Sequence, residues 1–166
     1  MKYVGIDPSL TATAIVILDA EAEIEFKAII KSKLRGVDRL LEIETEVQNS
    51  LLNTSLSHIC IEGYSFGSRV GQAFSIGELG GILKRLLTVK QKLYTVIQPT
   101  SLKKFVTGKG NCPKDLILKE VYKKWSVDLN DNNLADAYGL ARIAYGAYHK
   151  EELLKYEMEV IEKACL

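Results

Sequence analysis

The chain has 166 residues, 47% of them hydrophobic and 26% charged, and a net charge of +1, values ordinary for a folded domain with a sizeable core. No apolar run approaches the roughly 20 residues that cross a bilayer, and the N-terminus enters a strand with no signal-peptide pattern. Cys60, Cys112 and Cys165 are widely spaced and odd in number, a pattern that suggests no disulfide framework and no zinc site. The expectation is a single domain over residues 1–166 in a reducing cytoplasm, with no membrane partner.

Met1 to Val4 is short and β-prone, and Ile15 to Leu18 is continuously apolar. The stretch between them reads as strand, tight connection, strand, with Asp7 ending the first strand. Pro8 fixes its own φ and biases Asp7 toward extended geometry. Ser9, Thr11 and Thr13 are small and polar, so a phosphate or sugar can come close. Ile24 to Ile30 alternates and continues the meander as a third strand. From Val37 to Leu52 the apolar residues follow helical spacing, giving a helix of about 15 residues. Asn53 to Ser57 is a loop. Ser57 to Glu62 is a strand ending in a second carboxylate, and His58 near its start reads as structural.

Gly63 to Ser68 is a loop bearing Tyr64 and Phe66, aromatics that suit stacking on unpaired bases. A helix from about Val70 to Leu87 carries Gly71, Gly77, Gly80 and Gly81. So many small residues lower helix propensity and point to close packing, against the sheet or against another subunit. Leu93 to Ile97 is the fifth strand, and Gln98-Pro99-Thr100 leads into a short helix, Ser101 to Val106. Thr107 to Lys114 is a loop with two glycines, a proline and several basic groups. Asp115 to Trp125 is amphipathic. The next helix opens at Asp131, a good N-cap, with Asn133 and Asp136 on one face of its first turns. Lys150 to Leu166 reads as an extra, charged C-terminal helix.

Eleven of the 22 basic residues lie between Lys84 and Lys124, against only two acids, Asp115 and Glu120. A solvated helix face and a polyanion-binding surface both fit that run.

The element order gives an α/β mixed five-stranded sheet of order 3-2-1-4-5, strand 2 antiparallel, with helices on its faces. Strands 1 and 4 are then neighbours, and Asp7 and Glu62 converge at their carboxyl ends, where open α/β sheets take ligands. The helix opening at Asp131 can add Asp136 and Asn133. Convergent carboxylates repel unless a cation is present, and all-oxygen ligation selects Mg²⁺, with Mn²⁺ as substitute, over zinc. Two such ions suit phosphodiester hydrolysis.

Five stretches occur in order: Gly5-Ile6-Asp7-Pro8-Ser9, Ile61-Glu62, Phe74-Ser75-Ile76-Gly77-Glu78-Leu79-Gly80-Gly81, Lys103 to Gly110 with Lys114 beyond, and Ala135-Asp136-Ala137. In these the chain resembles RuvC-type Holliday junction resolvases of the ribonuclease H-like superfamily, in a phage or mobile-element version. The resemblance implies a metal-dependent nuclease with Asp7, Glu62 and Asp136 as metal ligands and catalytic residues. It implies Lys103 and Lys114 at the scissile phosphate, with Lys114 catalytic. It further implies a homodimer through the glycine-containing helix, and branched DNA as partner; Phe74, Ile76, Leu79, Ile82 and Leu83 are expected to supply the apolar area of that interface. Bacterial members commonly carry Asp or His at the fourth ligand position, where this chain has Asn133; Asp131 is the other candidate there. Lys103, Lys104, Lys109 and Lys114, with Phe66 and Arg69 of the earlier loop, are the expected DNA contacts. Flaps, forks, RNA/DNA hybrids and a non-catalytic DNA-binding role stay open. An actin-like ATPase or sugar kinase shares the opening hairpin but needs a second lobe, so no nucleotide cofactor is expected.

Overall fold

The computed structural model describes residues 1–52, 58–64, 70–164 and 166, without the side chains of 70–73 and 114. Five strands, β1 (Tyr3–Asp7), β2 (Thr13–Leu18), β3 (Ile24–Ile30), β4 (His58–Glu62) and β5 (Tyr94–Ile97), form one sheet of order β3-β2-β1-β4-β5. β1 pairs antiparallel with β2, and β2 with β3; β1 with β4, and β4 with β5, run parallel. Every residue of β1 and β2 is buried, as expected of central strands covered on both faces.

Alternation along the strands divides the interior in two. Val4, Ile6, Ile15, Ile17, Ile59 and Ile61 face α1 (Gly36–Ser50) and α2 (Val70–Val89). Tyr3, Ala14, Val16, Leu18 and Cys60 face α3 (Pro99–Thr107), α4 (Lys114–Trp125), α5 (Asn132–Gly146) and α6 (Lys155–Lys163). Asp7 and Glu62 have the parity of Tyr3 and Cys60, so both carboxylates belong to the α5 face. His58 is buried, with Nε2 2.9 Å from Thr95 Oγ1, and burial pushes its pKa down; this is the structural role expected of it.

Helix α5 lies directly on β1. A Cβ added to Gly5 would stand 1.9 Å from Ala137 O and 2.5 Å from Ala141 N. Only a glycine in the strand, facing the small side chains Ala135, Ala137, Ala141 and Ala144, permits that approach.

Three expectations are corrected. Leu79 and Leu83 of α2 are fully buried against the sheet, so they belong to the core and supply no subunit contact. Residues 150–166 are not one helix: a 3-10 turn at Lys150–Glu152 precedes α6. The chain is extended at Leu154, whose N–H donates to Glu157 Oε2 at 2.8 Å. The basic run is not one surface either. Lys124 is largely buried, ion-paired with Glu157 and donating to Phe105 O at 3.2 Å and Tyr156 Oη at 3.0 Å. Among the described residues, no helix is long and apolar enough to cross a membrane.

Candidate metal centre and nucleic-acid interface

The β1–β2 connection sets the first acid. Ser9 N–H donates to Thr13 Oγ1 at 3.0 Å, and Thr13 Oγ1 donates back to Ser9 O at 2.6 Å. Ser9 Oγ accepts from the N–H groups of Thr11 and Ala12. Thr13 is fully buried. The small polar residues of this hairpin therefore close it on itself and leave Asp7, only 6% exposed, at the strand end. Glu62 follows the last β1–β4 pair, Ile6 with Ile61, just as Asp7 does. Gly63 N–H donates to Ile97 O at 2.8 Å and carries the β4–β5 ladder one residue past Glu62.

The third acid comes from α5. Asp131 is its N-cap, with Oδ1 accepting from Asn133 N at 2.8 Å and Leu134 N at 3.2 Å. That bonding satisfies two helix-start donors and fixes the helix origin. Asp136 and Asn133 then face β1 and β4 from the first turns.

Asp7, Glu62, Asn133 and Asp136 line one cleft of about 410 Å³, together with Ser9, Tyr64 and Lys103 among others. Asp131 is not in that lining. Lys103 Nζ donates to Cys112 O at 3.2 Å, so the loop before α4 holds its ammonium at the cleft. Lys104 points to α6 and pairs with Glu159 at 2.6 Å; its hydrogen bond holds the Glu159 carboxyl below the usual carboxylate range. Lys109 is exposed, away from the cleft lining. Phe66, Arg69 and the side chain of Lys114 lie outside the described residues.

A RuvC crossover junction endodeoxyribonuclease from Caldicellulosiruptor saccharolyticus is 30% identical over 129 residues, covering 73% of this chain and 76% of that protein. The chain belongs to the RuvC family. No family profile matches it. The fold is shared with Thermus thermophilus RuvC, TM-score 0.75 at 19% identity over 90% of this chain and 97% of that one. It is equally shared with T. thermophilus RuvC in complex with a Holliday junction substrate, TM-score 0.75 at 17% identity, covering 90% and 96%.

Within this RuvC-family chain the cleft offers carboxylates and an amide, all oxygen donors of the kind that hard divalent ions take. Gly5, read as part of the opening motif, and Tyr64, read as a base-stacking loop aromatic, prove to have packing roles at the site. Gly5 is the seat of α5, and Tyr64 is a wall residue fixed to α2. Elsewhere, His149 Nδ1, Glu151 and Glu152 bring ligand atoms within 4.8 Å of one another. The His149 ring stacks on Tyr145 at 4.0 Å and sets Nε2 3.2 Å from Tyr3 Oη, which accounts for its position by packing.

Proposed function

We propose that this protein is a Mg²⁺-dependent endonuclease that resolves four-way DNA junctions, with Mn²⁺ able to substitute. The observation that carries the reading is the single cleft lined by Asp7, Glu62, Asn133 and Asp136 with Lys103 on its wall. Family membership supports the substrate, since relatives carry the name crossover junction endodeoxyribonuclease.

The donor set suits the metal. Gathered carboxylates repel one another unless a cation neutralises them, and among the described residues the cleft lining contains no thiolate or imidazole that would favour a softer ion. Two divalent ions bound there would supply an activated water on one side of a phosphodiester and charge for the leaving oxygen on the other. Asp7, Glu62 and Asp136 would hold the ions, and Asn133 would contribute a neutral oxygen. The Lys103 ammonium, fixed by Cys112 O, offers positive charge where negative charge builds on the phosphate. Lys114, at the start of α4, is the second candidate for that role. Lys109, Phe66 and Arg69 are proposed DNA contacts. Lys104 joins them only when its pair with Glu159 opens.

Resolution needs one cut on each of two opposite strands, and the described residues of one chain gather one such set of acids. A two-fold dimer supplies the second and matches the symmetry of the junction. The outer face of α2 supports this arrangement. Phe74 is 70% exposed there, and among the described residues a Cβ at Gly77 or Gly81 would meet nothing within 4 Å, so a second backbone can come close. Such a substrate implies a cytoplasmic protein.

The test is cleavage of a synthetic four-way junction, a flap and an RNA/DNA hybrid, each with and without Mg²⁺. Symmetric paired nicks in the junction, dependent on the metal, are expected. Cutting of flaps or hybrids in preference would replace the substrate, and binding without cutting under any divalent ion would replace the nuclease by a DNA-binding role.

A further inference from the structure

Tyr64 stands two residues beyond Glu62, on the wall of the same cleft. Its hydroxyl donates to Gly77 O at 3.2 Å. The Lys84 ammonium lies 4.5 Å above its ring centroid. The ring occupies the space that a side chain at position 80 would fill: a Cβ on Gly80 would be 2.8 Å from both Cε1 and the hydroxyl oxygen. Residues 77, 80 and 84 recur along one side of α2, and together they form a seat for one aromatic side chain.

Glu62 therefore lies between two anchors. On one side Gly63 N–H is bonded to Ile97 O of β5. On the other, the chain is tied to α2 through the Tyr64 ring and hydroxyl. Tyr64 is 37% exposed, so burial alone does not fix it; the hydrogen bond, the ammonium and the missing Cβ do.

We propose that Tyr64 is a positioning residue for Glu62, clamping the end of β4 onto α2 so that the carboxylate is held for a divalent ion. The inference rests on the reading of the cleft as a metal centre. Groups that orient a ligand rather than touch the ion commonly change metal affinity by 10–100-fold when removed. Gly80, where an added Cβ would meet the Tyr64 ring and hydroxyl first, acts through the same clamp. Its replacement by Ala displaces only the far end of a side chain and raises helix propensity.

The experiment is Mn²⁺ titration of the full chain, followed by electron paramagnetic resonance, with Tyr64→Leu, Tyr64→Phe and Gly80→Ala beside the unmodified protein. Thermal midpoints and metal-free junction binding are measured in parallel. Tyr64→Leu is expected to weaken Mn²⁺ binding about tenfold and Tyr64→Phe a few-fold, from the lost hydrogen bond. Gly80→Ala should weaken it like Tyr64→Leu while holding or raising the thermal midpoint, a combination a merely structural role would not give. Unchanged Mn²⁺ affinity in all three variants overturns the clamp, including the case where Tyr64→Leu loses only junction binding, which would make Tyr64 a DNA contact. Absence of Mn²⁺ binding in the unmodified chain overturns the metal centre itself, and the clamp with it.

Discussion

Replacing Gly5 by Ala adds one methyl group at the point where β1 meets α5. The new Cβ would stand 1.9 Å from Ala137 O and 2.5 Å from Ala141 N, against the 3.4 Å at which ordinary contact begins. Both neighbours are backbone of a buried helix, so no side chain can swing aside, and α5 must retreat by about 1.5 Å. Overpacking of this kind costs about 3 kcal/mol. The sign is informative, because Gly→Ala inside an unobstructed strand stabilises by roughly 0.5–1 kcal/mol. Asp136 rides on α5 while Asp7 stays on β1, so the same retreat spreads the proposed metal ligands. A displacement near 1 Å at a reacting centre costs about 100-fold in rate. Urea unfolding should show a lowered midpoint with unchanged slope. Junction cleavage under conditions where the variant is still folded should fall about 100-fold. Gly139→Ala is the comparison: the atoms nearest its Cβ are side-chain methyls of Leu102 and Val106, each at 2.8 Å, and not backbone, so both effects should be smaller. A Gly5→Ala protein with unchanged stability and cleavage would refute the argument that this glycine sets the position of Asp136.

The remaining predictions concern charge, pH and assembly. Junction affinity should fall steeply with salt, and Lys103→Met should reduce the log–log slope by about 0.9, one phosphate's worth; an unchanged slope would remove Lys103 from the DNA surface. Glu159→Gln frees the Lys104 ammonium and should steepen that slope by up to the same amount, read in the same titration. His58 is neutral when buried, with its pKa pushed down, so the unfolded chain binds more protons below the ordinary histidine pKa of about 6.5. Its stability contribution is full above that pH and is lost as pH falls toward the lower folded value. The fall in urea midpoint from pH 7.5 to 5.5 should therefore be smaller in His58→Gln than in the unmodified chain. Sedimentation at tens of micromolar should show a dimer, and Phe74→Glu on the outer face of α2 should give folded monomers that nick junctions without pairing the cuts.

The sheet could be read from the sequence because its causes are local. Apolar runs of strand length alternate with helical spacing, and the rules for crossovers leave few ways to arrange them. The acids Asp7 and Glu62 could be read for the same reason, since each ends an apolar run where a carboxylate has no place in a core. What escaped depends on partners distant in sequence. Lys124 reads as a solvated cation, yet Glu157, 33 residues later, meets it under α6. The amphipathic period runs through residues 153 and 154, but Leu153 packs on Gly146 and the Glu157 carboxylate takes the Leu154 N–H, so the helix begins afresh. Helical periodicity in α2 cannot say which apolar side meets the sheet, and Leu79 and Leu83 prove to be the inner ones. Spacing puts Asn133 on the face of Asp136, but the sequence leaves Asp131 open beside it as the fourth ligand. Asp131 spends an oxygen on two backbone donors, and of the two only Asn133 lines the cleft.

The central claim is that the cleft carboxylates hold the ions that cut a bound junction. It is tested most directly by Asp7→Asn, which keeps the shape of the cleft and removes one charge. Binding to a four-way junction and its cleavage in Mg²⁺ are measured on the same preparation, beside the unmodified protein. The account predicts paired nicks by the unmodified protein, and junction binding within a few-fold of it but no detectable cleavage by the variant. Cleavage at an undiminished rate by Asp7→Asn would contradict it.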